Sequence, residues 1–227
     1  MRWTTVRWLL AAFIFLAGLG LSAKADEDKG KDEGFKPLFN GTDLTGWKFR
    51  LQGDADPKKT FTVKEGVIVV TGRPNGFFYT DKSYKDYVLR FDWRYKRPKD
   101  LTDDSKFLGN SGCLVHIHHP DKGVVGGIWP QCVEVQGMNL NHGMLLFLKA
   151  KAEGKPKYDR KAKDKATHKV GEWNTTEVTC KADGTIEAKI NGTRVSSGKG
   201  DLTEGHIGFQ SEGAEIHFRN IKIKQRK

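Results

Sequence analysis

Residues 86–96, "DYVLRFDWRYK", constrain this chain more than any other stretch. Tyr87, Leu89, Phe91, Trp93 and Tyr95 fall on one parity, and Val88, Arg90, Asp92, Arg94 and Lys96 on the other. A period of two places one set on a buried face and the other on a polar face, which is the pattern of a strand half-covered by a core. The same reading applies to "FTVKEGVIVV", "GCLVHIH" and "QCVEVQG". "WNTTEVTCKADGTIEAKINGTRVSSG" reads as three strands turning at "ADG" and "NG", and "GHIGFQSEGAEIHFRNIKIKQ" as two strands around "SEG". Asn-Gly and Asp-Gly tolerate the positive φ that tight hairpins need. No long stretch carries a 3.6-residue apolar period; residues 149–169 could hold only a short helix, since they contain Gly154 and Pro156 and lack an apolar stripe. Many short antiparallel strands in one domain argue an all-β, two-sheet antiparallel jelly-roll sandwich.

The first residues read as a leader. Arg2 and Arg7 precede an apolar run over residues 8–21, and Ala23 and Ala25 give an A-x-A pattern, so cleavage is expected after Ala25. Residues 26–34 form a charged linker and residues 35–227 the domain. The expected destination is secretion or the periplasm, with no stable membrane span after cleavage. Removing Arg2, Arg7 and Lys24 lowers the formal charge from +11 to +8. The excess is local: residues 149–169 hold nine Lys or Arg against three acids, with Tyr158 as the one aromatic. Single-stranded nucleic acid is held by several aromatics among the cations, so this segment reads as a solvated loop, and nucleic acid is not an expected partner. An anionic-surface adhesin is the weakest of the readings it allows.

Three cysteines, Cys113, Cys132 and Cys180, leave at least one thiol free. Strand parity puts Cys113 and Cys132 on opposite faces, against a bridge between them. Trp47, Trp93 and Trp173 are expected in or capping the core, and Trp129, in "GGIWP", as an exposed ring. The sequons at Asn40, Asn174 and Asn191 are read as structural.

The ordered set "FKPLFNGTDLTGWKF", "NSGCLVHIH", "CVEVQG", "GEWNTTEVTCKADGTIEAKINGTRV" and "EGHIGFQSEGAEIHFRNIKIK" resembles the 3-keto-disaccharide hydrolase domain family from about Phe35 to Lys224. The resemblance implies a concanavalin-like jelly roll and exported bacterial carbohydrate chemistry on glycosides whose C3 hydroxyl is already a ketone. The activity expected is that of a hydrolase, or a lyase followed by hydration. A non-catalytic carbohydrate-binding module is the alternative; it predicts an exposed aromatic platform, Trp129 with Phe77 or Tyr79.

A C3 ketone acidifies the C2 proton, so such a site needs a base, an acid for the leaving oxygen and a donor at the developing enolate. Parity places Leu114, His116 and His118 on one face of their strand, and Glu134 and Gln136 on one face of the next. Together they are expected to look outward from the concave sheet. The family often shows "NSGxxxR" followed by an E-x-Q strand. Glu134 and Gln136 match the latter, whereas His116 replaces the arginine with a group that titrates near neutrality. The candidate catalytic residues are therefore Glu134, His116 and His118. Gln136, Arg90, Asp92, Trp129 and His142 are candidates for binding substrate, although a cross-strand ion pair explains Arg90 and Asp92 equally well. No cofactor is expected; the H-x-H pair with Glu134 leaves a divalent metal open as an alternative.

Overall fold

The computed structural model describes residues 32–226. The expected leader, its cut and most of the charged linker lie outside the described residues. Phe35–Lys227 forms one compact unit. In chain order its elements are β1 (Lys36–Pro37), β2 (Trp47–Leu51), α1 (Pro57–Thr60), β3 (Phe61–Lys64), β4 (Val67–Val70), β5 (Gly76–Thr80), β6 (Tyr84–Lys85), β7 (Tyr87–Tyr95) and β8 (Gly112–His118). There follow β9 (Gln131–Gln136), β10 (Leu145–Leu148), β11 (Lys157–Tyr158), α2 (Arg160–Ala166), β12 (Asn174–Cys180), β13 (Thr185–Ile190), β14 (Thr193–Lys199), β15 (Glu204–Ser211) and β16 (Ile216–Gln225).

The strands form two antiparallel sheets. One runs β11-β14-β13-β12-β7-β16-β4-β3, with β1 also on β16; the other runs β10-β9-β8-β15-β5-β2, with β6 also on β15. The jelly-roll sandwich expected from the alternation is the architecture found. β7 shows why: from Tyr87 to Tyr95 every odd position is buried and every even one half-buried. The buried sets of the two sheets meet in an aromatic core. Phe209 packs 4.9 Å from Phe91, 4.9 Å from Phe218 and 5.3 Å from Phe78, while Trp47 sits 5.1 Å from Phe78. Fully burying each such ring is worth about 1.5–3 kcal/mol, which makes this cluster the main source of cohesion.

Trp47 and Trp93 lie in this core. Trp173 does not: it is half-buried, with the guanidinium groups of Arg94 and Arg219 at 4.6 and 4.0 Å from its ring. The cysteines are all free and buried. The Asn174 and Asn191 side chains bond each other, and Asn191 also donates to the Ala166 carbonyl, so both are part of the framework. The short helix that residues 149–169 could hold is α2, capped by Asp159 accepting from the Ala162 N–H. Among the described residues no helix is long and apolar enough to cross a membrane.

A second apolar cluster lies on the other face of the β10–β2 sheet. It contains Phe77, Tyr79, Leu114, Ile117, Ile128, Trp129 and Cys132. β5 is consequently buried at all five positions, with Phe78 in the main core and Phe77 and Tyr79 in this second cluster. The β8–β9 connection supplies the cover by folding back on itself, with Val125 bridged to Trp129.

Candidate functional site

The outer face of the β10–β2 sheet is organised in two rows that follow from strand register. One row crosses from Arg50 to Phe77, Gln210, Gly112 and Gln136; the next crosses from Lys48 to Tyr79, Gly208, Leu114, Glu134 and Leu146. The aromatic ends of the rows lie under the β8–β9 connection. The polar ends converge on Gly112. A methyl group there would lie 2.3 Å from Gln210 Oε1 and 2.7 Å from Glu134 Oε1, so the absence of a side chain is what lets these two close over the strand.

Glu134 and Gln210 are both nearly inaccessible, and the Oε1 atom of each is buried without a hydrogen-bond partner among the described residues. When Glu134 is ionised these are two acceptors without a donor, so ionisation is costly unless a donor arrives. Burial pushes the Glu134 carboxyl up to about 8; the charge of Glu212 adds to this, and hydrogen bonding from Gln210 opposes it. Glu212, at the end of β15 and bridged to Asn110, is itself raised by burial. Gln136 accepts the Met138 N–H at 2.8 Å through Oε1, which leaves its amide nitrogen to donate to a ligand. Beneath them Ser111 Oγ donates to the Gln210 carbonyl at 2.9 Å, and Tyr95 donates to the Gly137 carbonyl at 2.8 Å.

The histidines depart from expectation. β8 carries one more residue than either neighbour between Val115 and His118: the register shifts against β9 there and against β15 at the same place. His116 has φ +53°, the left-handed region, and the extra residue breaks the alternation. Ile117 therefore joins Leu114 on the outer face, and His116 turns the other way, fully buried, its ring edge-on to Tyr87 of the main core at 6.0 Å. Gly205 makes room for this bulge; a Cβ there would meet the His116 carbonyl carbon at 2.5 Å. Burial lowers His116 to about 4, so it is neutral near pH 7. His118 is half-buried and bonds the Glu204 carbonyl at 2.9 Å. The H-x-H pair thus diverges, and among the described residues no three His, Cys, Asp or Glu side chains are grouped to hold a metal ion.

The remaining candidates scatter. Arg90 and Asp92 lie on the other sheet, where Arg90 pairs with Glu177 at 2.8 Å and Asp92 accepts from Thr175, Arg219 and Asn220. These are the cross-strand partners that register dictates, remote from the Glu134 face. His142 is internal, stacked on Trp93 at 3.8 Å, with Nδ1 3.2 Å from the Gly137 carbonyl oxygen; burial lowers it to about 3. Trp129 is 9% exposed and packs against Phe77 at 6.4 Å, so it is a covering ring and not an exposed one. Of the residues expected near substrate, only Glu134 and Gln136 come together. Gln210, Glu212 and Gly112 were not singled out. The alternation in "GFQSEG" puts Gln210 and Glu212 on one parity, but only the insertion of β15 between β8 and β5 brings them beside Glu134.

Two crystal structures of proteins from Parabacteroides distasonis ATCC 8503, each described as a putative glycosyl hydrolase, share this architecture. One is 25% identical with a TM-score of 0.60, covering 88% of this chain and 97% of its own; the other is 20% identical with a TM-score of 0.61, covering 85% and 99%. The carbohydrate-binding module CBM66 from Bacillus subtilis, 11% identical with a TM-score of 0.52 over 81% of this chain and 98% of its own, shares the fold. No curated protein matches the chain. Residues 34–224 match the 3-keto-alpha-glucoside-1,2-lyase-like domain, the assignment to which the ordered motifs pointed, and the chain belongs to that family.

Proposed function

We propose that this chain is an exported carbohydrate-active enzyme that cleaves 3-keto-glycosides, with Glu134 as the proton-transfer group. The observation that carries the reading is the buried Glu134 carboxyl. Its Oε1 is unpartnered beside Gln210 Oε1, and its proton affinity is raised to about 8. A carboxylate with that affinity is a far stronger base than an exposed one, and its titration lies close to working pH, where general-base catalysis is most effective.

In the elimination, carboxylate Glu134 takes the C2 proton and the C2–H electron pair forms an enolate across C2 and C3. The enolate collapses: the C3 carbonyl re-forms, a C1–C2 double bond appears, and the C1–O bond breaks with its electrons leaving on oxygen. That oxygen takes a proton, for which Glu212, also raised by burial, is the second carboxyl at hand. The Gln136 amide nitrogen is available as donor to the enolate oxygen. Addition of water to the unsaturated product would complete a net hydrolysis, so lyase and hydrolase outcomes differ only in this last step.

Glu134→Gln should lower turnover of a 3-keto-disaccharide by about 10²–10⁴-fold with the fold intact; unchanged turnover would remove Glu134 from the mechanism. In the unsubstituted protein kcat/KM should rise about tenfold per pH unit and level off above about pH 8 as the base form fills. Mass spectrometry of the products, with and without added chelator, would separate an unsaturated product from a hydrated one and read out any metal requirement. Sugar binding with no product would support the binding-module reading instead, although the aromatic rings that reading calls on are covered.

A further inference from the structure

The basic segment that reads as a solvated loop builds one wall of a cleft of about 450 Å³. Its cations are Lys157, Arg160 and Lys161, joined by Arg194 of β14, to which β11 is paired. All four are exposed, and none has an ion-pair partner among the described residues, although the same region holds such pairs at Lys163–Asp164 and Lys199–Glu153. The one acid in the lining, Asp159, is engaged by the Ala162 N–H. Four positive charges against the single carboxylate of Asp159 leave the lining a net +3, and an anion would relieve their mutual repulsion.

The cleft is also tied to the proposed catalytic face through one loop. Arg160 donates to Asn141 Oδ1 at 2.7 Å and Tyr158 to the His142 carbonyl at 3.4 Å. The other side of that loop closes on Gln136: its N–H donates to the Met144 carbonyl, its carbonyl accepts from Gly143, and its Oε1 accepts from Met138. We infer that this cleft binds the carboxylate of a uronate unit in a sugar chain. Two guanidinium forks match a planar carboxylate with paired hydrogen bonds, and the Tyr158 side chain can serve the hydroxyls of a sugar ring. A single aromatic does not make the stacking platform of a nucleic-acid groove. The sugar-chain part of this inference rests on the carbohydrate reading above; the charge recognition does not depend on Glu134 as a base.

Calorimetric titration tests it, using the Glu134→Gln protein so that no turnover intervenes. A galacturonate tetramer should bind, lose affinity between 100 and 500 mM salt as ~10 Å screening shortens to a few Å, and outcompete neutral maltotetraose. Arg160→Ala with Arg194→Ala should weaken it at least about tenfold, the scale of a lost charge-assisted bond. Lys58→Gln with Lys59→Gln, on α1, should leave it unchanged. Equal binding of the neutral tetramer, no effect of the arginine pair, equal weakening by the α1 pair, or preference for a sulfated disaccharide would each overturn the uronate site. If this binding fails while neutral 3-keto-glycosides are still cleaved by the unsubstituted protein, the cleft is lost and Glu134 stands; binding without any cleavage gives the reverse.

Discussion

His116 and Glu134 sit on adjacent strands and meet opposite fates. Glu134 follows the alternation of β9, so it shares the outer face with Cys132 while Val133 and Val135 enter the core. His116 follows an alternation that breaks one residue earlier, and it is carried inward against Tyr87. Its role is then to fill the interior beneath a bulge. His116→Ala should cost about 2 kcal/mol by leaving a cavity, with turnover per folded molecule essentially unchanged. Urea unfolding alongside an assay of the folded fraction checks this, and a large loss of turnover at full folding would return His116 to the mechanism. The identity of Glu134 as a candidate was legible in "VEVQ"; its raised proton affinity was not, because that depends on what covers it.

At the scale of elements, the site is a product of three strands. β9 presents Glu134 and Gln136, β15 presents Gln210, and β8 runs between them with Gly112 as the gap that both side chains use. Gly112→Ala should therefore push Glu134 and Gln210 apart. Both clashing atoms are the ends of flexible side chains, so the expected cost in stability is about 1 kcal/mol, while turnover falls at least about tenfold through the misplaced base. Parallel measurement of thermal unfolding and kcat checks it; wild-type turnover would mean that the two oxygens need not meet. Sequence periodicity identifies each of these strands and the faces of β9, but the extra residue in β8 reverses the faces it predicts for His116 and Ile117. Periodicity does not state that β15 inserts between β8 and β5, since Gly208 pairs with Leu114 and with Tyr79, both far away along the chain.

For the molecule as a whole, buried titratable groups set a stability optimum. Glu134 is raised from 4.5 to about 8, so the folded state holds more protons than the unfolded one between those values, and stability falls as pH rises through that window. Glu212, also raised, acts in the same direction. His116 and His142 are depressed from 6.5 to about 4 and about 3, so their contribution is full above 6.5 and is lost as pH falls toward those values. Each group contributes at most about 1.4 kcal/mol per pH unit. Two histidines against one fully shifted carboxyl place the maximum near pH 6.5, with Glu134→Gln flattening the alkaline limb. Urea midpoints from pH 4 to 8.5 check this, and an alkaline limb unchanged in that variant would contradict it. The sequence by itself determined the all-β class, the inward and outward faces of β7 and β9, the hairpin turns and the family, because period two and turn chemistry are local properties of the chain. The tertiary structure alone decided that His116 turns inward, that Arg90 and Asp92 pair on the far sheet, that Trp129 covers Phe77, and that Gln210 meets Glu134. Each of those depends on register, an extra residue or long-range strand order, and a one-residue change in register reverses which face a side chain occupies.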